Sequence, residues 1–167
     1  GGPEMMQIAD VDRPVPGPNQ VRVRVMATSV NRADIIQRQG NYPPPKGESQ
    51  ILGLEVAGVV DVLGPGVDDW NPGDRVMGLV AGGGYAEYAL VYDSHLMPIP
   101  EGMDYTEAAC ISETTITAFL NIYLIGDLQP GETALLHGGG GGVNTAAIQL
   151  CRSLTPNATL IVTASPG

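Results

Sequence analysis

Valines at 21, 23 and 25 alternate with Arg22 and Arg24 in the stretch 20–30, a period of two that predicts a half-buried strand. Asn31 is placed to cap a short helix over 31–39, with Asp34 near the positive end of its dipole and Gly40 as terminator. A loop with prolines at 43, 44 and 45 leads into L-G-L-E-V-A-G-V-V-D-V-L-G at 52–64. Its β-branched residues, cut by glycines, predict a strand with bulges or tight bends. Turns at Gly64-Pro65-Gly66 and Asn71-Pro72-Gly73-Asp74 and a strand-like stretch at 85–92 extend the series, and short strands at close spacing predict an all-β, barrel-like domain. After Pro98-Ile99-Pro100 the period changes to helical spacing over 104–110 and 113–125, with Ile116, Phe119 and Tyr123 on one face. That change marks a domain boundary near residue 112. Next come an apolar strand at 133–137, five glycines at 138–142, a helix at 143–154 and a buried strand at 158–163. Strand, glycine loop, helix and strand make a βαβ unit, the opening of a doubly wound nucleotide-binding sheet.

Composition narrows the class. With 23 glycines and 14 prolines in 167 residues, helical bundles and coiled coils are excluded, and 43% hydrophobic residues argue against disorder. A net charge of −10 repels phosphate backbones, so neither nucleic acid nor an anionic membrane is an expected partner. Cys110 and Cys151 lie far apart with no C-x-x-C spacing, which argues against a disulfide framework or thiolate metal site and for a reduced, cytoplasmic setting. No charged start followed by an apolar stretch is visible, and no apolar run reaches the roughly 18 residues of a membrane span.

The glycine run carries the clearest chemistry. Between a strand and a helix N-terminus, glycines let the backbone approach a pyrophosphate and aim unpaired N–H groups at it. No Gly-Lys-Ser/Thr follows, which excludes a phosphate-loop NTPase. The second strand ends in Thr163, Ala164 and Ser165 where an acidic residue would hold a ribose 2′-hydroxyl. Small hydroxyl residues leave room for a 2′-phosphate, which favours NADP over NAD.

Several stretches resemble one family, in its order: N-R-A-D-I-I-Q-R-Q-G-N-Y-P-P-P at 31–45, I-L-G-L-E-V-A-G-V-V at 51–60, G-D-R-V at 73–76, G-G-G-Y-A-E-Y at 82–88, L-M-P-I-P-E-G at 96–102 and G-V-N-T-A-A-I-Q-L at 142–150. The chain is similar to the medium-chain dehydrogenases/reductases, and within them to the zinc-free quinone oxidoreductases of the zeta-crystallin type, most closely the tumour-suppressor-inducible branch. The resemblance implies a mixed fold: a GroES-like β-barrel catalytic domain at 1–112, then at 113–167 the first βαβ unit of a Rossmann domain, with NADPH held in the cleft between them. It implies roughly the first half of such an enzyme, with a complete chain that works as a homodimer on a small-molecule quinone.

The resemblance also assigns residues. Zinc-dependent members carry a cysteine where this chain has Asn31 and a histidine where it has Leu54, so two of three catalytic zinc ligands are missing and no metal is expected. Asn31 and Tyr42 would line the nicotinamide and substrate side, and Thr117 would sit beside the nicotinamide ring. Glu55 would fall near the former metal position, hydrogen-bonded to an arginine. The cofactor residues implied are Tyr42, Thr117, Gly138, Gly141, Gly142, Val143, Asn144, Thr163 and Ser165. Tyr85 and the glycines at 82–84 are read as hairpin structure. Two departures stand out: Gly141 replaces a serine that would contact a phosphate, and Asn144 replaces a glycine, its side chain fitting by turning toward the phosphates. The implied reaction is metal-free hydride transfer from NADPH to a quinone. Alternatives are an enoyl reductase module of a fatty-acid or polyketide synthase, and a non-catalytic homologue that keeps the fold for binding.

Overall fold

Val21 and Val23 are fully buried while Arg24 faces solvent, so the alternation at the start of the chain is realised in β1 (Gln20–Thr28). In the computed structural model, which describes residues 1–165, this strand joins β2 (Glu55–Leu63), β3 (Arg75–Leu79), β4 (Tyr88–Tyr92) and β5 (Leu96–Pro98) in an antiparallel sheet of order β4-β1-β2-β3-β5. The register of β1 on β2 slips between Arg22 and Val23 and again between Val25 and Ala27, and these irregularities curl the sheet. β2 is buried on both faces at its start. Val56 and Val60 pack with Val21, Val23, Val76 and Val91 on one side, and Ala57 packs with Met77, Ile99, Ala108 and Ala109 on the other. That double burial explains why β2 reads as a continuous apolar run rather than an alternating one.

Two strands begin later than their patterns suggest. The stretch 52–64 becomes strand only at Glu55, and 85–92 only at Tyr88, because the preceding residues bond to each other. Gly83 N–H donates to Ile51 O, Gly84 N–H to Gly53 O and Tyr85 N–H to Leu52 O. β3, which is broken by Gly78 and shows no alternation, and β5, three residues long, are not legible as strands in the sequence. Between β1 and β2 lies α1 (Arg32–Arg38), and α2 (Tyr105–Ala108) is a single capped turn in which Asp104 Oδ1 accepts from Glu107 N–H.

The chain divides into two compact units, Gly1–Ser112 and Glu113–Gly167. Helix α3 (Ser112–Phe119) runs on into a wider π-type stretch, Leu120–Ile125, which Gly126 closes by donating to Asn121 O. Of the expected helical face only Tyr123 is largely covered, its hydroxyl meeting Thr155 Oγ1 at 3.0 Å, whereas Ile116 and Phe119 are each 38% exposed. β6 (Thr133–His137) pairs in parallel with β7 (Thr159–Thr163), and α4 (Gly142–Leu154) lays Ala146 and Ala147 against Leu136 and Ala118. The apolar positions 146, 147 and 150 put one face of α4 in a cluster with Leu136 of β6 and with Ala118 and Ile122. Among the described residues no helix is long and apolar enough to cross a membrane.

Candidate functional site

In the first unit the polar centre is Glu55, the first residue of β2, only 1% exposed although charged. A buried carboxylate needs hydrogen bonds in place of water. Its Oε1 accepts from Asn31 Nδ2 at 2.7 Å and from the Ser29 hydroxyl. Asn31 Nδ2 also donates to Ser29 Oγ at 3.0 Å, so amide, hydroxyl and carboxylate close a three-membered ring. Thr28 Oγ1 donates to the Glu55 carbonyl at 2.7 Å, tying the end of β1 to the same point. Asn31 is also the N-cap of α1, within a capping box whose Asp34 Oδ2 accepts the Asn31 backbone N–H at 2.6 Å.

Asp34 is itself 3% exposed, and its neighbour is the phenol of Tyr85, whose place in the sequence reads as hairpin structure. Burial, then the nearby negative charge of Asp34, and then that of Glu55 push the Tyr85 hydroxyl well above the usual tyrosine range, so it stays protonated. Gly53 makes room for it: with φ at +101°, an added Cβ would stand 2.5 Å from Tyr85 Cδ1 and 2.6 Å from its backbone nitrogen. Leu54, 5% exposed, offers no lone pair, and the Asn31 amide nitrogen is committed as a donor. Neither Leu54 nor the Asn31 amide nitrogen thus offers a lone pair to a metal. Among the described residues no group of three or more His, Cys, Asp or Glu side chains gathers at metal-binding distance.

Tyr42 is 50% exposed, in the loop after α1. A cavity of about 930 Å³ opens in the same unit between residues 6–14 and the end of β1, with Met26, Thr28, Ile51, Tyr85 and Tyr88 in its wall. Asn31 and Tyr42 are not among its lining. Ser29, Asp34 and Tyr85 are polar residues here to which the sequence pattern assigns no site role.

In the second unit the glycine loop leaves β6 and doubles back over the end of β7. Gly138, at φ +82°, and Gly139 both donate their N–H to Thr163 O, at 3.1 and 2.8 Å. Thr163 Oγ1 stands 3.1 Å from His137 Nδ1 and accepts from Gly138 N–H at 3.3 Å. Asn144 does not turn toward the loop's open side. Its Nδ2 donates to the carbonyls of His137 and Gly138, at 3.0 Å for the latter, and so clamps the loop from the first turn of α4. That clamp does the work of a tight turn and leaves the helix end open. Gly141, the N-cap, has no side chain, and the N–H groups of Gly142, Val143 and Asn144 have no intrahelical acceptor. A Cβ added at Gly140 would meet nothing within 4 Å. The donors and the bare loop fit a pyrophosphate. Thr114 of α3 lies against Gly142, 3.1 Å from where a Cβ would stand, and Thr117 follows one helical turn along. Ser165, after β7, is exposed.

Residues 17–101 match the model of the alcohol dehydrogenase GroES-like domain. The human synaptic vesicle membrane protein VAT-1 homolog is 43% identical over 152 residues, 91% of this chain and 38% of that protein. A pig quinone oxidoreductase is 39% identical over 92% of this chain and 47% of its own length. Among solved structures, a mycobacterial protein complexed with NADPH superposes with a TM-score of 0.88 at 30% identity, over 100% of this chain and 51% of that one. The CurK enoyl reductase gives 0.85 at 29% identity, over 95% and 49%. The chain thus spans about half the length of the proteins it matches, or less.

Proposed function

This chain belongs to the alcohol dehydrogenase GroES-like family of medium-chain dehydrogenases/reductases, and we propose on that footing that the whole protein is an oxidoreductase that reduces a quinone with NADPH and no metal. The observation that carries the metal-free reading is the ring of Asn31, Ser29 and Glu55: where a metal would need lone pairs, the chain supplies an amide donor already engaged by a carboxylate. The pig quinone oxidoreductase supports the substrate class and the NADPH-bound mycobacterial structure the cofactor.

NADPH, when bound, supplies the hydride. The chain's own residues position and sort. The N–H groups of Gly142, Val143 and Asn144 receive the pyrophosphate, with Gly138 and Gly141 keeping the approach bare, and the Thr163 and Ser165 hydroxyls favour a 2′-phosphate over a bare ribose. Asn31, Tyr42 and Thr117 line the nicotinamide and quinone side. No general base is required of the protein, because a quinone accepts hydride readily and water protonates the product. In this reading the whole protein works in the cytoplasm as a homodimer.

The test is NADPH oxidation by the full-length protein with an ortho-quinone. Turnover that falls on Asn31→Ala supports the reading, and absence of turnover with any quinone overturns it. The likeness to the CurK enoyl reductase favours a second reading, reduction of an enoyl thioester, which activity on that substrate but not on quinones would select.

A further inference from the structure

Two carboxylates bracket Asn31. Asp34 Oδ2 accepts its backbone N–H at 2.6 Å, and Glu55 Oε1 accepts from its side-chain Nδ2 at 2.7 Å. Both are withdrawn from water, Asp34 at 3% exposed and Glu55 at 1%. Taking a charge out of water is costly unless opposite charge or enough donors replace the lost hydration. For Asp34 the replacement is incomplete. Among the described residues its Oδ1 meets no hydrogen-bond donor, and the nearby Tyr85 hydroxyl has no partner either. The two charges also act on one place, since both bear on the Tyr85 phenol. A buried carboxylate oxygen in this state interacts favourably with any positive charge that arrives beside it, and there the attraction is far less screened than in water.

The proposed reaction makes such a charge. The C4–H bond of the dihydronicotinamide breaks, and the hydrogen leaves with both electrons for the quinone. The ring, neutral before the transfer, becomes a pyridinium cation, while the quinone, reduced by two electrons, takes a proton from water to complete the hydroquinone. We propose that Asp34 and Glu55 favour that positive charge, so that the site holds the oxidised ring more tightly than it would without them and lowers the barrier to loss of hydride. This rests on the placement of Asn31 on the nicotinamide side in the reading above. Neither carboxylate takes part in a bond change. Each is one hydrogen bond from Asn31 and acts through space on what Asn31 touches.

The ratio of the dissociation constants of NADP⁺ and NADPH tests this, because the two forms differ by one charge at the ring and are otherwise alike. Both are titrated into the full-length protein, NADPH by its fluorescence and NADP⁺ by calorimetry. Asp34→Asn and Glu55→Gln each remove one charge and keep the shape of the side chain. Each is expected to weaken NADP⁺ relative to NADPH by roughly tenfold, the scale of one buried charge acting across a side chain. A tenfold change in the ratio raises the two-electron potential of the bound cofactor by about 30 mV. Quinone kcat falls with it, while the quinone KM changes little. Asp61→Asn is the control. It removes the same charge from β2 roughly 20 Å further along the strand, beyond the reach of a screened charge, and leaves the ratio at the wild-type value. A merely structural loss weakens both cofactor forms together and does not move the ratio. If Asp34→Asn and Glu55→Gln fold, bind both forms and keep the wild-type ratio, or if Asp61→Asn shifts it as far, the proposal fails. Should neither variant fold, the wild-type protein decides: it binds NADP⁺ at least as tightly as NADPH, and a clear preference for NADPH overturns the proposal. A wild-type protein that binds both forms but reduces no quinone overturns the reading of the reaction instead, and the ratio still decides the role of the charges.

Discussion

Gly53 is the residue on which the packing around Glu55 can be tested most cleanly. Its φ is +101°, and a Cβ built there would lie 2.5 Å from Tyr85 Cδ1, 2.6 Å from Tyr85 N and 2.7 Å from Gly84 C. Two of those three atoms are backbone of a segment bonded to residues 51–53, so neither side can move freely. Gly53→Ala therefore carries two costs. The left-handed backbone costs roughly 1–2 kcal/mol for any L-residue, and overpacking against fixed atoms costs about 1–3 kcal/mol more. Gly73 is the control, since its φ is +98° but nothing lies within 4 Å of its Cβ position, so Gly73→Ala carries the first cost alone. The difference between the variants, about 1–3 kcal/mol, corresponds to roughly 2–12 °C in melting temperature for a chain of this size. Thermal unfolding followed by circular dichroism measures it. Equal melting temperatures for the two variants would refute the claim that the 51–53 and 83–85 segments are pressed together.

Other residues give independent tests. Tyr85 should be the last of the 6 tyrosines to ionise in an ultraviolet titration. Because its folded pKa is raised, the stability it contributes is complete below the ordinary tyrosine pKa of about 10 and is lost as pH rises above it. Tyr85→Phe should flatten that alkaline decline, and an unchanged decline would show that the phenol is not held as described. Asn144→Ala removes two hydrogen bonds from the glycine loop, a loss of about 1–3 kcal/mol by denaturant unfolding, and unchanged stability would mean the clamp is unnecessary. Gly140→Ala meets nothing in the protein, so melting should not change while NADPH binding weakens roughly tenfold if the loop receives the phosphates. Unchanged binding would move the cofactor elsewhere.

How much of this is legible in the sequence depends on range. The βαβ unit, including the strand Thr133–His137, is readable because a strand period, a glycine run and a helix period follow one another within about thirty residues. The five-stranded sheet is readable only as a series of short strands; β3 escapes because Gly78 breaks its pattern and β5 because it has three residues. Asn31 is legible as a cap from local spacing. Its bond to Glu55 is a contact across 24 residues, and no local pattern announces it. Tyr85 reads as turn structure because it follows three glycines, and the charges that raise its pKa, Asp34 and Glu55, come from distant parts of the chain. The sequence pattern turns Asn144 toward the phosphates, but two loop carbonyls lie closer to hand, and a side-chain amide satisfies nearby backbone acceptors first.

The most direct test of the central claim is a substrate comparison with the full-length protein after exhaustive chelation. NADPH oxidation would be followed with an ortho-quinone and, separately, with an enoyl thioester. The account predicts undiminished, NADPH-preferring reduction of the quinone after chelation. Loss of quinone turnover that returns on adding zinc, or turnover of the thioester alone, would contradict it.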